Sequence, residues 1–589
     1  MKKLQNVNKT NALNSQEKCF LIVVFGLATA LIFVFTSLRY MSFLGLNWDL
    51  GINLQMLWTN GHGYLLFETA DHMTSGAMTF LQVNSVYIAI PVSYIYNLFP
   101  NPFTLFTIQA VILSASVYPL YLYARIKVER KSLAQLVTIG FILNFAVLSG
   151  VFYDFHWEAF IPLEFFLFIY LYETKRYKLS VATLALGALT LQVFPFMAGS
   201  YLLYKFVDAV LSRKGQSKST STNSILIPVF FAILAGLFAY AIGLLSGAVI
   251  PKILGESVSP SSTAVNSITY LFNFTATGDT IFNSLEYWLL LFAILGFVPF
   301  LRLRTIFVFL PWFYWSVLAH PEYTSQFGIQ YGILVASLLV PPLIIGIAEL
   351  SSNLDHDLNY QVWPILLGPL SILFLSLLFK STSVFVNHSN LIFFTFFFSV
   401  MGMLTFIFLL LNPFEIFKRK FNIKRVDNRS LLTVFVLAII IVSLVIGPIN
   451  PLNKSPPFTG GYAVSYSPST SYPYMQDITH IVGHNESVLS ADNLFPFVAN
   501  NPNAYSFFWF LANYSKNPNF PYKSWNLPDF LLLDSSEMYT VPNYYKNLAL
   551  NSGNYGLRLE ITNSNYPGNI YLYQLGYHSF PTIYNSSHL

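Results

Sequence analysis

Charge is what this chain has least of. Only 10% of its 589 residues are Asp, Glu, Lys or Arg, against about 25% in an ordinary soluble domain. With 54% hydrophobic and 17% aromatic residues, that shortage excludes a soluble enzyme and a disordered chain. The mean hydropathy of +0.55 points to a polytopic membrane protein. Cysteine is nearly absent too. Cys19 stands alone inside the first apolar run, so no internal disulfide forms and any domain outside the membrane is held by packing. The net charge of +5 implies no nucleic acid partner, because in such a chain the position of each basic residue matters more than the sum. Missing motifs narrow the field further. There is no Gly-x-x-x-x-Gly-Lys-Ser/Thr, Gly-x-Ser-x-Gly or His-Glu-x-x-His.

What is present is a series of apolar runs of spanning length or near it. They lie at about 19–38, 104–124, 133–152, 158–172, 179–192, 194–211, 225–249, 286–301, 306–320, 331–350, 362–380, 391–412 and 431–449, thirteen in all. The first follows a polar, basic segment, 1–18, and reads as an uncleaved signal anchor. With the amino terminus inside, most Lys and Arg fall on the inner face, in clusters such as Arg125/Lys127/Arg130/Lys131, Lys175/Arg176/Lys178 and Arg302/Arg304. This bias holds only if the further apolar stretch 82–98 does not cross. Pro91 at its middle and Phe99-Pro100-Asn101-Pro102 at its end suit a bent helix at the outer interface. The stretch 179–211, basic at both ends, must cross twice and turn near Gln192–Pro195.

The expected architecture is therefore an α-helical polytopic membrane protein. A transmembrane domain spans 19–449, with an outer loop, 39–103, carrying interfacial helices. After it the chain becomes rich in Asn, Ser, Pro and Tyr, with short β-like runs at 487–491, 529–533 and 570–574. The tail, 450–589, reads as a small extracytoplasmic α/β domain. Such a chain sits in the plasma membrane as a multi-pass protein.

Three constellations at the outer face carry titratable groups. The first loop contains Arg39 and the run Asn47-Trp48-Asp49-Leu50-Gly51-Ile52-Asn53-Leu54-Gln55-Met56-Leu57-Trp58. Leu50, Leu54, Leu57 and Trp58 share one helical face, which predicts a short amphipathic helix lying on the membrane. Asp49 at its start is either an N-cap or a general base aimed into a cavity, and both roles can coexist. Asp71 and His72, later in the loop, read as solvated surface. The second constellation is Asp154-Phe155-His156-Trp157-Glu158, on the turn between two spans. Three titratable groups within five residues at the edge of hydrocarbon are costly unless paired or functional. They form a hydrogen-bonded structural turn, an acid/base pair, or ligands for a divalent cation such as Mg or Mn. In a helical turn Asp154 and Glu158 share a face; in an extended turn His156 lies between them. The third is His320-Pro321-Glu322-Tyr323 with Gln326, Gln330 and Tyr331 at the mouth of a span. Arg39 and Lys252 are the outer-loop cations available to an anionic substrate.

The string Asp49-Leu50-Gly51-Ile52-x-x-Gln55-x-Leu57-Trp58 resembles the signature of a family of membrane proteins, domain-of-unknown-function family 2079. Asp154-Phe155-His156-x-Glu158, the segment from Tyr94 to Arg125 with Gln109, and Gln330-Tyr331 resemble it as well. So do Ser487-Val488-Leu489-Ser490-Ala491-Asp492 and Pro528–Asp534 of the tail. That family looks like a branch of the class C glycosyltransferases, which use a polyprenyl-phosphate-linked sugar and carry a catalytic carboxylate in the first outer loop. The resemblance implies that Asp49 is this carboxylate. On that reading Asp154, His156 and Glu158 would orient it or hold a cation. Arg39, Gln55, Trp58, Asn84, Lys252, His320, Gln330 and Tyr331 would then face the lipid-linked substrate. Two positions depart from the family pattern, Asn84 where a His is usual and Gln192-Val193-Phe194 where a charged patch is usual. The rival expectation is non-enzymatic, a transporter or a cell-surface assembly scaffold. A transporter would line the whole membrane depth with polar groups and show inverted repeats.

Overall fold

The structure is a computed structural model. It describes residues 13–44, 48–128, 130–215, 222–255, 277–319, 324, 329–352, 428–450, 466–507, 527–536, 553–563 and 568–585. The expected spans 362–380 and 391–412 lie outside these residues. Among the described residues five helices are long and apolar enough to cross a membrane. We number the helices in chain order. The first is α1 (Ser15–Met41), opened by a capping box of Asn14 and Glu17. The others of that length are α5 (Pro102–Lys127), α6 (Lys131–Tyr153), α10 (Asn223–Ile253) and Tyr331–Ser352, which becomes α12. α5 starts where Asn101 caps the Phe103 N–H and Pro102 takes the first helical position. α6 is interrupted at Asn144, whose side chain accepts the Ala146 N–H and restarts the helix.

Between these spans lie shorter helices. α2 (Trp48–Gly61), α3 (Thr69–Ser75) and α4 (Ala89–Leu98) come from the first loop. α7 (Ile161–Glu173), α8 (Tyr177–Thr190) and α9 (Phe194–Gly215) follow α6. α4, ten residues long, rises only about 15 Å, half a hydrocarbon core. Its Tyr94, Ile95 and Leu98 point outward, uncovered, while Val92 and Tyr96 are buried. That is the inverse of a soluble helix and fits an interfacial position. The turn expected in 179–211 is found at residues 191–193, where the Phe194 ring packs over Gly187. Two expectations shift. The helix of run 286–301 is α11 (Gly278–Ile294), begun earlier because Thr277 and Thr280 cap it. Run 306–320 is not one regular span. It is broken into a 3-10 turn Leu303–Val308, a short helix Leu310–Tyr314 and a π turn Trp315–Ala319.

The bundle has two chemically different ends. At one, buried or half-buried acids hold the basic clusters: Glu17 with Arg125 and Lys131, Glu173 with Lys127 and Lys205, Asp208 with Arg302 and Arg304. At the other, α2 to α4 meet a C-terminal sheet region. There Gly332 of α12 lets its backbone approach the Ala146 carbonyl of α6, where a Cβ would stand 2.7 Å from that oxygen. After α13 (Asn428–Ile446), the sheet region contributes α14 (Met475–Val482) and six strands. These are β1 (Val488–Ser490), β2 (Ala504–Ser506), β3 (Phe530–Asp534), β4 (Tyr555–Thr562), β5 (Ile570–Leu575) and β6 (Thr582–Asn585), in the order β2-β1-β3-β5-β4-β6. β1 pairs parallel with β2 and β3, and β5 pairs antiparallel with β3 and β4. Every residue of β3 is buried, as its unbroken Phe-Leu-Leu-Leu-Asp run requires of a central strand.

The sheet region rests directly on the bundle. Tyr40 stacks on Phe497 (5.1 Å between ring centroids, 26°), and Ser42 Oγ donates to the Ser467 carbonyl at 2.7 Å. Tyr96 Oη donates to Asn500 Oδ1 at 2.7 Å. This corrects the expectation for α2. From Leu50 to Thr59 it is buried on every face, because the sheet region covers the side that would otherwise meet water.

Candidate active site

Asp154, the first residue after α6, is extended (φ −169°, ψ −172°) and reaches the start of α2. Its Oδ2 accepts the Leu50 N–H at 3.1 Å and its Oδ1 the Phe155 N–H at 2.9 Å. The backbone bond that Asp49 would make as an N-cap is made instead by Asp154, from the turn after α6. The extended alternative for the 154–158 turn is the one found: His156 is also extended, and Trp157–Phe160 then form a 3-10 turn. Gln109 of α5, fully buried, holds this turn. Its Nε2 donates to the Val151 carbonyl (3.1 Å), and its Oε1 accepts the His156 N–H (2.8 Å). Trp157 Nε1 donates to Asn53 Oδ1 at 2.8 Å, and Asn53 Nδ2 donates to the Asp49 carbonyl at 2.9 Å. Two spans and the loop helix are thus stitched together around Asp49.

Asp49 is released by this division of labour. Its side chain keeps 23% exposure, and its Oδ2 lies 3.7 Å from His156 Nε2. His156 Nδ1 lies 3.9 Å from Glu158 Oε2. The imidazole therefore stands between two carboxylates, just beyond hydrogen-bond range of each. Its Nε2 is buried and has no hydrogen-bond partner among the described residues. Its ring lies nearly parallel to Tyr153 (5.2 Å, 16°), and the Tyr153 side chain hydrogen-bonds to Asp49.

Burial lifts the Asp49 carboxyl to about 7, the charge of Asp71 adds to the lift, and the Tyr153 bond opposes it. Burial and the charge of Asp49 push Asp154 up to about 8, against the Phe155 and Leu50 N–H groups and the Arg39 charge. Burial holds His156 down at about 3, so its ring is neutral at pH 7. Sequence reasoning missed Tyr153, and it placed Asp71 on solvated surface. Asp71 is half-buried on α3, and its charge acts on Asp49. Beside it, Glu68 is buried and accepts the Asp71 N–H at 3.0 Å, and burial raises both carboxyls.

The other expected residues disperse. Arg39 is buried, donates from Nε to the Tyr153 carbonyl at 3.3 Å, and places its charge toward Asp154. Gln55 is fully buried and joins α2 to the sheet region. Its Nε2 donates to the Asn501 (2.7 Å) and Ala504 (3.0 Å) carbonyls, and its Oε1 accepts from Thr69. Trp58 is sandwiched in ring stacks with His62 (3.7 Å) and His484 (5.5 Å). Asn84 is half-buried in the turn after Phe80–Gln82, and Lys252 is exposed at the end of α10, which packs against that turn. Gln330 and Tyr331 open α12 beside Gly150, four residues before Asp154. His320 lies outside the described residues. A divalent cation at Asp154, His156 and Glu158 does not fit this geometry. Both Asp154 oxygens are occupied by backbone donors, and among the described residues no three His, Cys, Asp or Glu side chains converge to hold an ion.

A family model described as "Predicted membrane protein (DUF2079)" matches residues 39–405, more than half of the chain. The chain belongs to this family. No curated protein matches this DUF2079 member. Among solved structures its fold is similar to that of ArnT from Cupriavidus metallidurans bound to undecaprenyl phosphate. The likeness has a TM-score of 0.55 at 13% identity and covers 95% of this chain and 99% of that one. Family and fold together make this DUF2079 protein a multi-pass membrane protein with an ArnT-like fold.

Proposed function

We propose that this protein is a membrane glycosyltransferase that moves a sugar from a polyprenyl phosphate carrier to an acceptor at the sheet-bearing end of the bundle. That end faces outward, because the basic clusters gather at the other. ArnT, a class C glycosyltransferase of the same fold, was solved with undecaprenyl phosphate, which supports the choice of carrier.

The observation that carries the reading is the unequal treatment of two neighbouring carboxylates. Asp154 is spent on backbone N–H groups, whereas Asp49 is partly open and backed by a fixed wall of Tyr153 and His156. A carboxyl poised near 7 is matched to accepting a proton at neutral pH. Asp49 takes the proton of the acceptor hydroxyl as that oxygen bonds to the anomeric carbon. The bond from that carbon to the phosphate oxygen breaks, and the lipid phosphate leaves with the electron pair. His156, neutral, backs the Asp49 carboxylate from 3.7 Å. The purified protein, given polyprenyl-phosphate-linked sugars and lipid or glycan acceptors, should release free polyprenyl phosphate. No release from any such donor, with the protein folded, overturns the reading.

A further inference from the structure

The first turn of α2 is gripped from two sides, and only one side belongs to the bundle. Asp154 holds the Leu50 N–H from the turn after α6. From the sheet region, the ring of Phe495 lies against Gly51. A Cβ at position 51 would stand 2.7 Å from Phe495 Cε1 and 3.1 Å from Cγ, nearer still to Cδ1, closer than real side chains pack. The ring has nowhere to go. Phe495 is fully buried in the 3-10 turn Asp492–Phe497, and Phe497 of that turn stacks on Tyr40 and packs on Phe43. One helical turn beyond Gly51, Gln55 fastens α2 to the Asn501 and Ala504 carbonyls.

Position 51 lies roughly 200° around the helix from position 49, at 3.6 residues per turn. The ring against Gly51 therefore bounds α2 on the side away from Asp49, and a bulkier residue at 51 would shift the carboxylate on the other side, beside His156 and Tyr153.

We propose that Phe495 is a positioning residue for Asp49, and that the sheet region sets the depth of α2 through the Gly51–Phe495 contact. The sheet region is on this account part of the catalytic unit, not a separable module. The catalytic half of the statement rests on the glycosyltransferase reading; the positional half does not.

The test is a size swap in the full chain. Gly51→Ala should lower kcat about 100-fold, the cost of roughly 1 Å of misplacement, with KM changed less than about 3-fold. Phe495→Leu, which frees space for the new methyl, should restore Gly51→Ala to within about 10-fold of wild type. Gly26→Ala in α1, where an added Cβ meets nothing within 4 Å, is the neutral control. The activity-independent arm is the infrared C=O band of the Asp49 carboxyl at pH 5, taken as the difference from Asp49→Asn. It should shift in Gly51→Ala and return in the double variant. If wild type transfers no sugar, the functional reading fails while the band still decides the positional claim. Wild-type turnover or an unmoved band in Gly51→Ala overturns the proposal, as does a double variant no better than the single one. Should Gly51→Ala not fold, Phe495→Leu alone must move the band, and an unmoved band overturns the proposal.

Discussion

Replacing Asp154 by Ala removes the acceptor from two backbone donors at once. Oδ2 holds the Leu50 N–H at 3.1 Å and Oδ1 the Phe155 N–H at 2.9 Å, in a residue only 7% exposed. Little water can take its place, so each donor is left unpaired at about 1–3 kcal/mol. The Leu50 bond also acts as a helix cap, a class of interaction worth about 1 kcal/mol on its own. The two losses overlap, which puts Asp154→Ala at roughly 2–5 kcal/mol of destabilisation. Burial also lifts Asp154 to about 8, which costs the folded state at pH 7, where the unfolded carboxyl is ionised; Ala escapes that cost, so the comparison belongs at about pH 4, where most of it is gone. Asp154→Asn retains one carbonyl oxygen and turns an NH2 toward the second donor, so it should lose about half as much. Reversible unfolding in mixed micelles, titrated with a denaturing detergent at about pH 4, should give the order wild type, Asn variant, Ala variant. An Ala variant within about 0.5 kcal/mol of wild type would show that the carboxylate does not hold α2, and the argument for a freed Asp49 would fall with it.

As a base, Asp49 must be ionised, so transfer should rise with pH and level off above about 7. Tyr153→Phe removes a hydrogen bond that lowers this carboxyl's pKa, so the rising limb should move to higher pH; a limb that stays in place or moves down contradicts the assignment. Gln55→Leu should loosen the sheet region by removing its bonds to Asn501 and Ala504, and limited proteolysis should cut that region faster than in wild type. A cysteine at Phe580, 95% exposed beyond β5, should react with a membrane-impermeant maleimide on intact cells in a Cys19→Ser background. Labelling only after lysis would put the sheet region inside.

The parts of the fold that depend on local pattern were legible. Most apolar runs among the described residues became helices, the turn expected in 179–211 separates α8 from α9, and three β-like runs became β1, β3 and β5. Strands β2, β4 and β6 were missed because β2 is only three residues long, β4 mixes buried and half-buried positions, and β6 is mostly exposed. At the site, the sequence singled out Asp49 and the 154–158 turn, but it offered Asp49, not Asp154, as the cap of α2. Which carboxylate reaches the Leu50 N–H across the bundle is a tertiary fact. Gln55 entered the ligand contacts through the family resemblance; two of its partners, the Asn501 and Ala504 carbonyls, lie more than four hundred positions away. Tyr153 reads in the sequence as the last aromatic of a span, and only the fold brings it to Asp49.

The central claim is that Asp49 takes the acceptor's proton. Its most direct test is release of polyprenyl phosphate by wild type and Asp49→Asn, side by side, at pH 7.5 and equal folded concentration. The isosteric amide keeps the packing and loses the base. The account predicts a fall of about 100-fold or more, within the range that general-base catalysis supplies. An amide variant that releases the lipid phosphate at the wild-type rate would contradict it.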